Sequence, residues 1–185
     1  MAKIGTRAAW LKARKALLVR EKELTHLRDE LARARQALPW VAIDADYRFE
    51  TPKGQASLAD LFDGKRQLIV YHFMYGPDWE APCKSCSFWA EHYDAIRAHL
   101  TQRDTNLVVV SRAPLAKLEA FRKRMGWRFP WVSSGGGRFN QDFDVSREPD
   151  AKNTTYNFAK SKGTMDEMPG LSVFVKDEKG AIYHT

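Results

Sequence analysis

At 185 residues the chain has room for one core-forming domain with an appendage. Its 44% hydrophobic and 29% charged residues are ordinary for a globular protein, and no apolar run reaches the roughly 18 residues of a membrane span. The net charge of +7 is unevenly placed: residues 1–38 hold ten Lys/Arg against four Asp/Glu, which leaves the remainder near neutral and argues against a nucleic-acid-binding core.

Residues 6–38 contain no Pro or Gly and are rich in strong helix formers. Trp10, Leu17, Leu24, Leu31 and Leu38 recur every seven residues, and Ala13, Leu27 and Ala34 fill companion positions. This predicts a long helix with a heptad-like stripe, stopped by Pro39. The stripe can pack on its own domain or pair two copies as a homodimer. The mixed charges fit an ordinary solvated face better than a membrane or nucleic-acid contact. Domain organisation follows: an amphipathic helix over 1–39 and a globular domain over 40–185.

Trp40–Asp46 is expected to be a linker. Tyr47–Glu50 alternates briefly, and Thr51-Pro-Lys-Gly54 is a turn. Ser57 can cap a short helical turn over 57–62, with Asp60 three residues on. Gln67–Met74 is an almost unbroken apolar run, the signature of a strand buried on both faces. After the cysteines, Trp89, Tyr93, Ile96 and Leu100 fall on one face of a predicted helix. Thr105–Ser111 is a second buried strand. Ala113–Met125 is a helix with Pro114 in its first turn and Gly126 as its stop. Phe129–Ser133 is a short strand, Ser134–Gly137 a flexible loop and Phe139–Val145 a helical turn. Arg147–Glu167 is a polar excursion, and Leu171–Lys176 and Ala181–His184 form a hairpin. Strands alternating with helices predict an α/β sheet with helices on both faces. No helix follows the hairpin, so that part of the sheet needs the N-terminal helix, a partner or a further segment to cover it.

The chemistry concentrates in Tyr71–Trp89, which holds both cysteines of the chain, Cys83 and Cys86, where a strand runs into a helix. Three residues apart on a first helical turn, two thiols lie on one side, and the unpaired amides of a helix N-terminus stabilise a thiolate. Cys83 is then the exposed nucleophile and Cys86 the resolving thiol. Zinc ligation and inert thiols are the alternatives. Zinc needs about four ligands, whereas the five His are scattered at positions 26, 72, 92, 99 and 184. No metal and no cofactor is expected. With no apolar leader near the N-terminus and only two cysteines, a cytoplasmic setting is expected. His72 is by default a core histidine, and Ser134–Gly137 a plain loop. The sequon Asn153-Thr-Thr155 is idle without export. Asp78 and Glu80 are loop carboxylates able to take part in proton transfer. Trp79, Trp89, Trp127 and Trp131 fit a core better than a binding platform, although Trp79, in the loop before Cys83, is retained as a candidate substrate contact.

The stretch Tyr71–Trp89, together with Val110–Phe121, Gly126–Ser134 and Ala9–Leu18, resembles a bacterial thioredoxin-like family named as domain of unknown function eight-nine-nine. The likeness spans nearly the whole chain. It implies a thioredoxin-like three-layer α/β/α sandwich, related to the peroxiredoxin branch, with a long N-terminal helix extension, and a chain shortened at its C-terminus. By the same likeness Pro169 is a cis-proline opposite the cysteine pair, and Met168 offers its backbone to a bound thiol substrate. The departures are specific. Pro82 precedes Cys83, and Lys84-Ser85 separate the thiols where thioredoxin has Gly-Pro. Peroxiredoxins carry a hydroxyl residue three before the reactive cysteine, where this chain has Glu80. The expected function is a thiol-disulfide oxidoreductase acting on a protein or small-molecule disulfide or thiol. A thiol peroxidase and a non-enzymatic redox-sensing or interaction module are the alternatives.

Overall fold

The structure is a computed structural model and describes residues 3–147, 154–161 and 165–185. The chain divides into two compact units, one up to Pro39 and one over Trp40–Thr185.

The first unit is a single 30-residue helix, α1 (Arg7–Gln36). Its N-cap Thr6 accepts from the Ala9 amide at 3.2 Å, and Arg33 and Arg35 in the last turn complement the helix dipole. Among the described residues no helix is long and apolar enough to cross a membrane.

The second unit is built on one eight-stranded sheet. Its strands are β1 (Val41–Ala42), β2 (Arg48–Thr51), β3 (Gly54–Ser57), β4 (Gln67–His72), β5 (Thr105–Ser111), β6 (Trp131–Ser133), β9 (Gly170–Lys176) and β10 (Ile182–His184). Their order is β1-β10-β9-β4-β5-β6-β2-β3. β4, β5 and β6 run parallel, and the rest pair antiparallel. A separate small hairpin, β7 (Thr154–Tyr156) with β8 (Ala159–Ser161), lies in the polar excursion.

Side-chain alternation along β4 and β5 divides the core in two, because successive Cβ atoms point to opposite faces. Tyr71, Phe73, Leu107, Val109 and Trp131 face one side. There they meet α2 (Lys84–Ala90), α3 (Tyr93–Thr101) and α4 (Leu115–Met125) through Cys86, Ala90, Tyr93 and Leu118. Leu68, Val70, Val108, Val110 and Phe174 face the other side. That side is covered by a 3₁₀ turn, Asp60–Phe62, and the short helix α5 (Phe139–Asp142). Each fully buried large side chain contributes roughly 1.5–3 kcal/mol, so these two aromatic-rich clusters are the main source of stability.

Local signals act as their chemistry requires. Ser57 Oγ and the Ser57 amide both donate to Asp60 Oδ2 at 2.7 Å, while the Asp60 amide donates to Ser57 Oγ at 3.2 Å, a reciprocal cap on the 3₁₀ turn. Gly126 ends α4 at φ +72°, a left-handed conformation that glycine adopts without cost.

The structure departs from the sequence expectations in three elements. The stretch expected as a linker contains β1, which closes the sheet edge beside β10. The turn after Thr51 leads into β3, giving a hairpin on the opposite edge. The helix after the cysteines breaks at Glu91-His92 into α2 and α3. The buried face is therefore Cys86, Ala90 and Tyr93, while Trp89 is 61% exposed. Spacings of four and three residues place those three on one stripe.

Candidate functional site

Strand β4 does not stop at His72 but continues as a hydrogen-bonded extension. The Phe73 amide donates to Val110 O at 2.9 Å, and the Ala113 amide to Tyr75 O at 2.8 Å. The Cys83 amide then donates to Met74 O at 3.1 Å, so the loop between them returns to the strand end. Lys117 of α4 holds the outside of that loop, with Nζ donating to Pro77 O at 2.8 Å and to Trp79 O at 3.1 Å. Cys83 is thereby fixed at the C-terminal end of the parallel strands, where α/β folds place their chemistry.

Cys83 is the N-cap of α2. Its Sγ accepts from the Cys86 amide at 3.5 Å, within the range for sulfur acceptors, and the residue is half-buried. Both thiols are free. Cys86 is buried one helical turn on. Burial pushes its thiol up to about 11, opposed by hydrogen bonds from Tyr71 and the Met74 backbone. Tyr71 is itself pushed up, chiefly by burial and then by its hydrogen bond to Cys86. Burial also raises Tyr93 to about 12, so both tyrosines beside the thiol pair keep their protons at neutral pH.

An open cavity of about 520 Å³ lies against the pair. Cys83, Cys86, Met168 and Pro169, all expected from the sequence to form the site, line it together. Trp79 is not among its lining residues. That side chain donates Nε1–H to Asp166 Oδ2 at 3.2 Å and braces the loop before Cys83 against the polar excursion. The Met168–Pro169 peptide is trans, as are all described peptide bonds, which corrects the cis-proline expectation. Trans is the default for X-Pro, and the segment is held on both sides: the Met168 amide donates to Val145 O at 2.7 Å, and Tyr156 Oη donates to Pro169 O at 2.8 Å.

Tyr71, Tyr93, Trp89, Met165 and Leu171 also line the cavity, none of them expected from the sequence as a site residue; Trp89 and Tyr93 were expected on a buried helix face. One signal was available: Tyr71 has the strand parity of Phe73 and so faces the same side as the helix that carries the cysteines. Asp78 and Glu80 are exposed and lie outside the cavity. His72 is on the opposite face, buried, with Nε2 2.9 Å from Ser172 Oγ and its ring stacked on Phe139. Asn153 lies outside the described residues. Among the described residues no three His, Cys, Asp or Glu side chains cluster as metal ligands.

A second polar cluster sits next to the cavity wall. Glu167 is buried, accepting from Ser146 Oγ at 2.6 Å and Arg112 Nη1 at 3.0 Å. Burial pushes its carboxyl up to about 7 against the lowering effect of both partners. It ties the excursion to the end of β5 two residues before Pro169.

The fold is that of peroxiredoxins. A peroxidoxin, BcpB from Mycobacterium tuberculosis, superposes with a TM-score of 0.51 at 16% identity, covering 78% of this chain and 80% of that one. The bacterioferritin comigratory protein of Xanthomonas campestris gives 0.52 at 17% identity, covering 76% and 81%. A mutant of Xanthomonas campestris peroxiredoxin Q gives 0.52 at 18% identity, also covering 76% and 81%. No curated protein matches the chain by sequence. The family model described as "Bacterial protein of unknown function (DUF899)" matches residues 1–185, and the chain belongs to that family.

Proposed function

We propose that the protein is a thiol-disulfide oxidoreductase in which Cys83 is the nucleophile and Cys86 resolves. The observation that carries this reading is the asymmetry of the pair. Cys83 caps the helix, half-buried beside an open cavity, while Cys86 is buried one turn behind it within hydrogen-bonding reach. In the first step Cys83 thiolate attacks one sulfur of a substrate disulfide, forming a mixed disulfide and expelling one substrate thiolate. In the second, Cys86 gives up its proton and its thiolate attacks Cys83 Sγ, expelling the second substrate thiolate, which takes up a proton. The protein dithiol loses two electrons to become the Cys83–Cys86 disulfide, and the substrate disulfide gains them as two thiols. A separate dithiol reductant restores the pair.

A thiol peroxidase is the second reading, and the fold shared with peroxiredoxins supports it. There Cys83 takes an oxygen atom from a hydroperoxide to become a sulfenic acid, and Cys86 condenses with it, releasing water. Glu80 at the position of the expected hydroxyl residue counts against it.

The test is alkylation and mass spectrometry of reduced protein after mild treatment with either a disulfide or hydrogen peroxide. An internal Cys83–Cys86 disulfide formed faster with the disulfide supports the first reading, and one formed faster with peroxide the second. A pair that neither oxidises internally nor accepts a sulfenic-acid probe overturns both.

A further inference from the structure

We propose that the cavity beside Cys83 selects small, uncharged disulfides that carry apolar substituents. This rests on the oxidoreductase reading above and names its substrate class.

Among the described residues, none that lines the cavity is Lys, Arg, Asp, Glu or His. The nearby charges Asp78, Glu80, Lys84, Asp166 and Glu167 are not among the lining residues; Glu167 is occupied by Arg112 and Ser146, and Asp166 by Trp79. A substrate with carboxylates or ammonium groups would be desolvated there without a partner, which is costly. What the cavity offers instead is Trp89 from α2, Leu171 from β9, Met165 and Met168 from the segment before it, and the apolar faces of two tyrosines.

Three of these side chains are left in water. Trp89 is 61% exposed, Leu171 62% and Met165 49%. Single exposed apolar residues are ordinary, but several gathered round one cavity mark a binding surface. The geometry of the sheet explains the gathering. Leu171 is the register partner of Tyr71 and stands on the same face, next to the helix layer. Within this unit that layer covers β4 and β5, and Leu171 forms the open margin of the cavity beyond it. At about 520 Å³ the cavity falls in the size range of small-molecule sites. Methionines line it as adaptable apolar contacts, which suits substituents of varied shape.

The test compares four disulfides as oxidants of the reduced full-length protein: di-n-propyl disulfide, bis(2-hydroxyethyl) disulfide, cystamine and dithiodiglycolate. Each rate is divided by that of dithiothreitol with the same compound, which removes differences in leaving group and potential. The normalised rate for the dipropyl compound is expected to exceed that for the hydroxyethyl compound by about tenfold, the effect of burying a few methylene groups, and to exceed those for both charged compounds by more. Leu171→Lys is expected to lower the dipropyl rate by about tenfold and to raise the dithiodiglycolate rate severalfold, by charge pairing. Met165→Lys is the second variant, and thermal unfolding verifies that each is folded. Four equal normalised rates, or an unchanged selectivity in both folded variants, overturn the proposal while leaving the oxidoreductase reading intact. Failure of all four compounds to oxidise Cys83 and Cys86 overturns that reading and the substrate class with it.

Discussion

The amide of Cys86 donates to the sulfur of Cys83 across 3.5 Å, so the helix that buries one thiol also holds the other at its mouth. The nucleophilic and resolving roles proposed for the two thiols are therefore separable by mutation. In Cys86→Ser, attack by Cys83 on a disulfide is expected to stop at the mixed adduct, and the intact mass should gain one substrate thiol per chain. Cys83→Ser should gain none, because the remaining thiol is buried. Adduct formation in Cys83→Ser at a rate near that of Cys86→Ser would reverse the assignment.

Tyr71 hydrogen-bonds to Cys86, and in the proposed mechanism this contact tunes the second step. Its hydrogen bond lowers a thiol that burial holds at about 11. The thiolate fraction of Cys86 then rises about tenfold per pH unit between roughly pH 7 and 10. The intramolecular step, isolated by stopped-flow after a rapid first attack, should accelerate with that slope. Tyr71→Phe removes the donor and is expected to slow the step by about tenfold, the worth of one hydrogen bond to a charged acceptor, with little effect on the first step. A pH-independent second step would sink this account.

The parts of the fold that were legible in the sequence are those where one physical demand acts alone. β4 and β5 are buried on both faces, and unbroken apolar runs say so. The Ser57–Asp60 cap and the Gly126 stop are local chemistry, readable within four residues. The cysteine pair was visible because a strand-to-helix junction gives two thiols at this spacing a common direction. What was not legible depends on distant partners. β1 is two residues long and exists because β10 offers an edge. The break between α2 and α3 selects Cys86, Ala90 and Tyr93 for burial over the equally periodic set containing Trp89. Leu171 looks like any strand residue until Tyr71 lies beside it. The trans bond at Pro169 is the default for any X-Pro, but the anchoring of its segment by Val145 and Tyr156 depends on residues distant in sequence.

His72 gives the domain an acid limit. Burial, and then the charge of His184, holds it down to about 3, and its Nδ1 has no hydrogen-bond partner among the described residues. In the unfolded chain it titrates near 6.5. As pH falls from 6.5 towards 3 the unfolded state takes up a proton that the folded state refuses, so stability is lost by up to about 1.4 kcal/mol per pH unit. The slope should appear in urea unfolding free energies below about pH 4.5, where no opposing change in Glu167 offsets it. In His72→Gln, with an amide that can still reach Ser172, it should be reduced, at a basal cost of about 1–3 kcal/mol from disturbed packing. An unchanged acid slope in the folded variant would remove His72 from this role.

Glu167 acts with the opposite sign. Its carboxyl keeps its proton to about 7 in the folded protein, chiefly through burial. The unfolded chain releases the same proton near 4.3. Between those values the unfolded state loses the proton first, so stability falls as pH rises, by up to roughly 4 kcal/mol in total. From about 4.5 to 6.5 this loss opposes the gain from His72, and the wild-type profile should be nearly flat there, which hides both groups. Single variants separate them. Glu167→Gln keeps an acceptor for Arg112 and, without carrying a charge, offers Ser146 Oγ an amide N–H in place of the oxygen that Ser146 now donates to. It is expected to match the wild type below pH 4.5 and to exceed it by about 1–2 kcal/mol at pH 8, leaving the His72 slope exposed through the middle of the range. If Glu167→Gln is instead the less stable protein at pH 8, the ionised Arg112–Glu167 pair outweighs the cost of burying its charge, and the carboxylate is the form the fold requires.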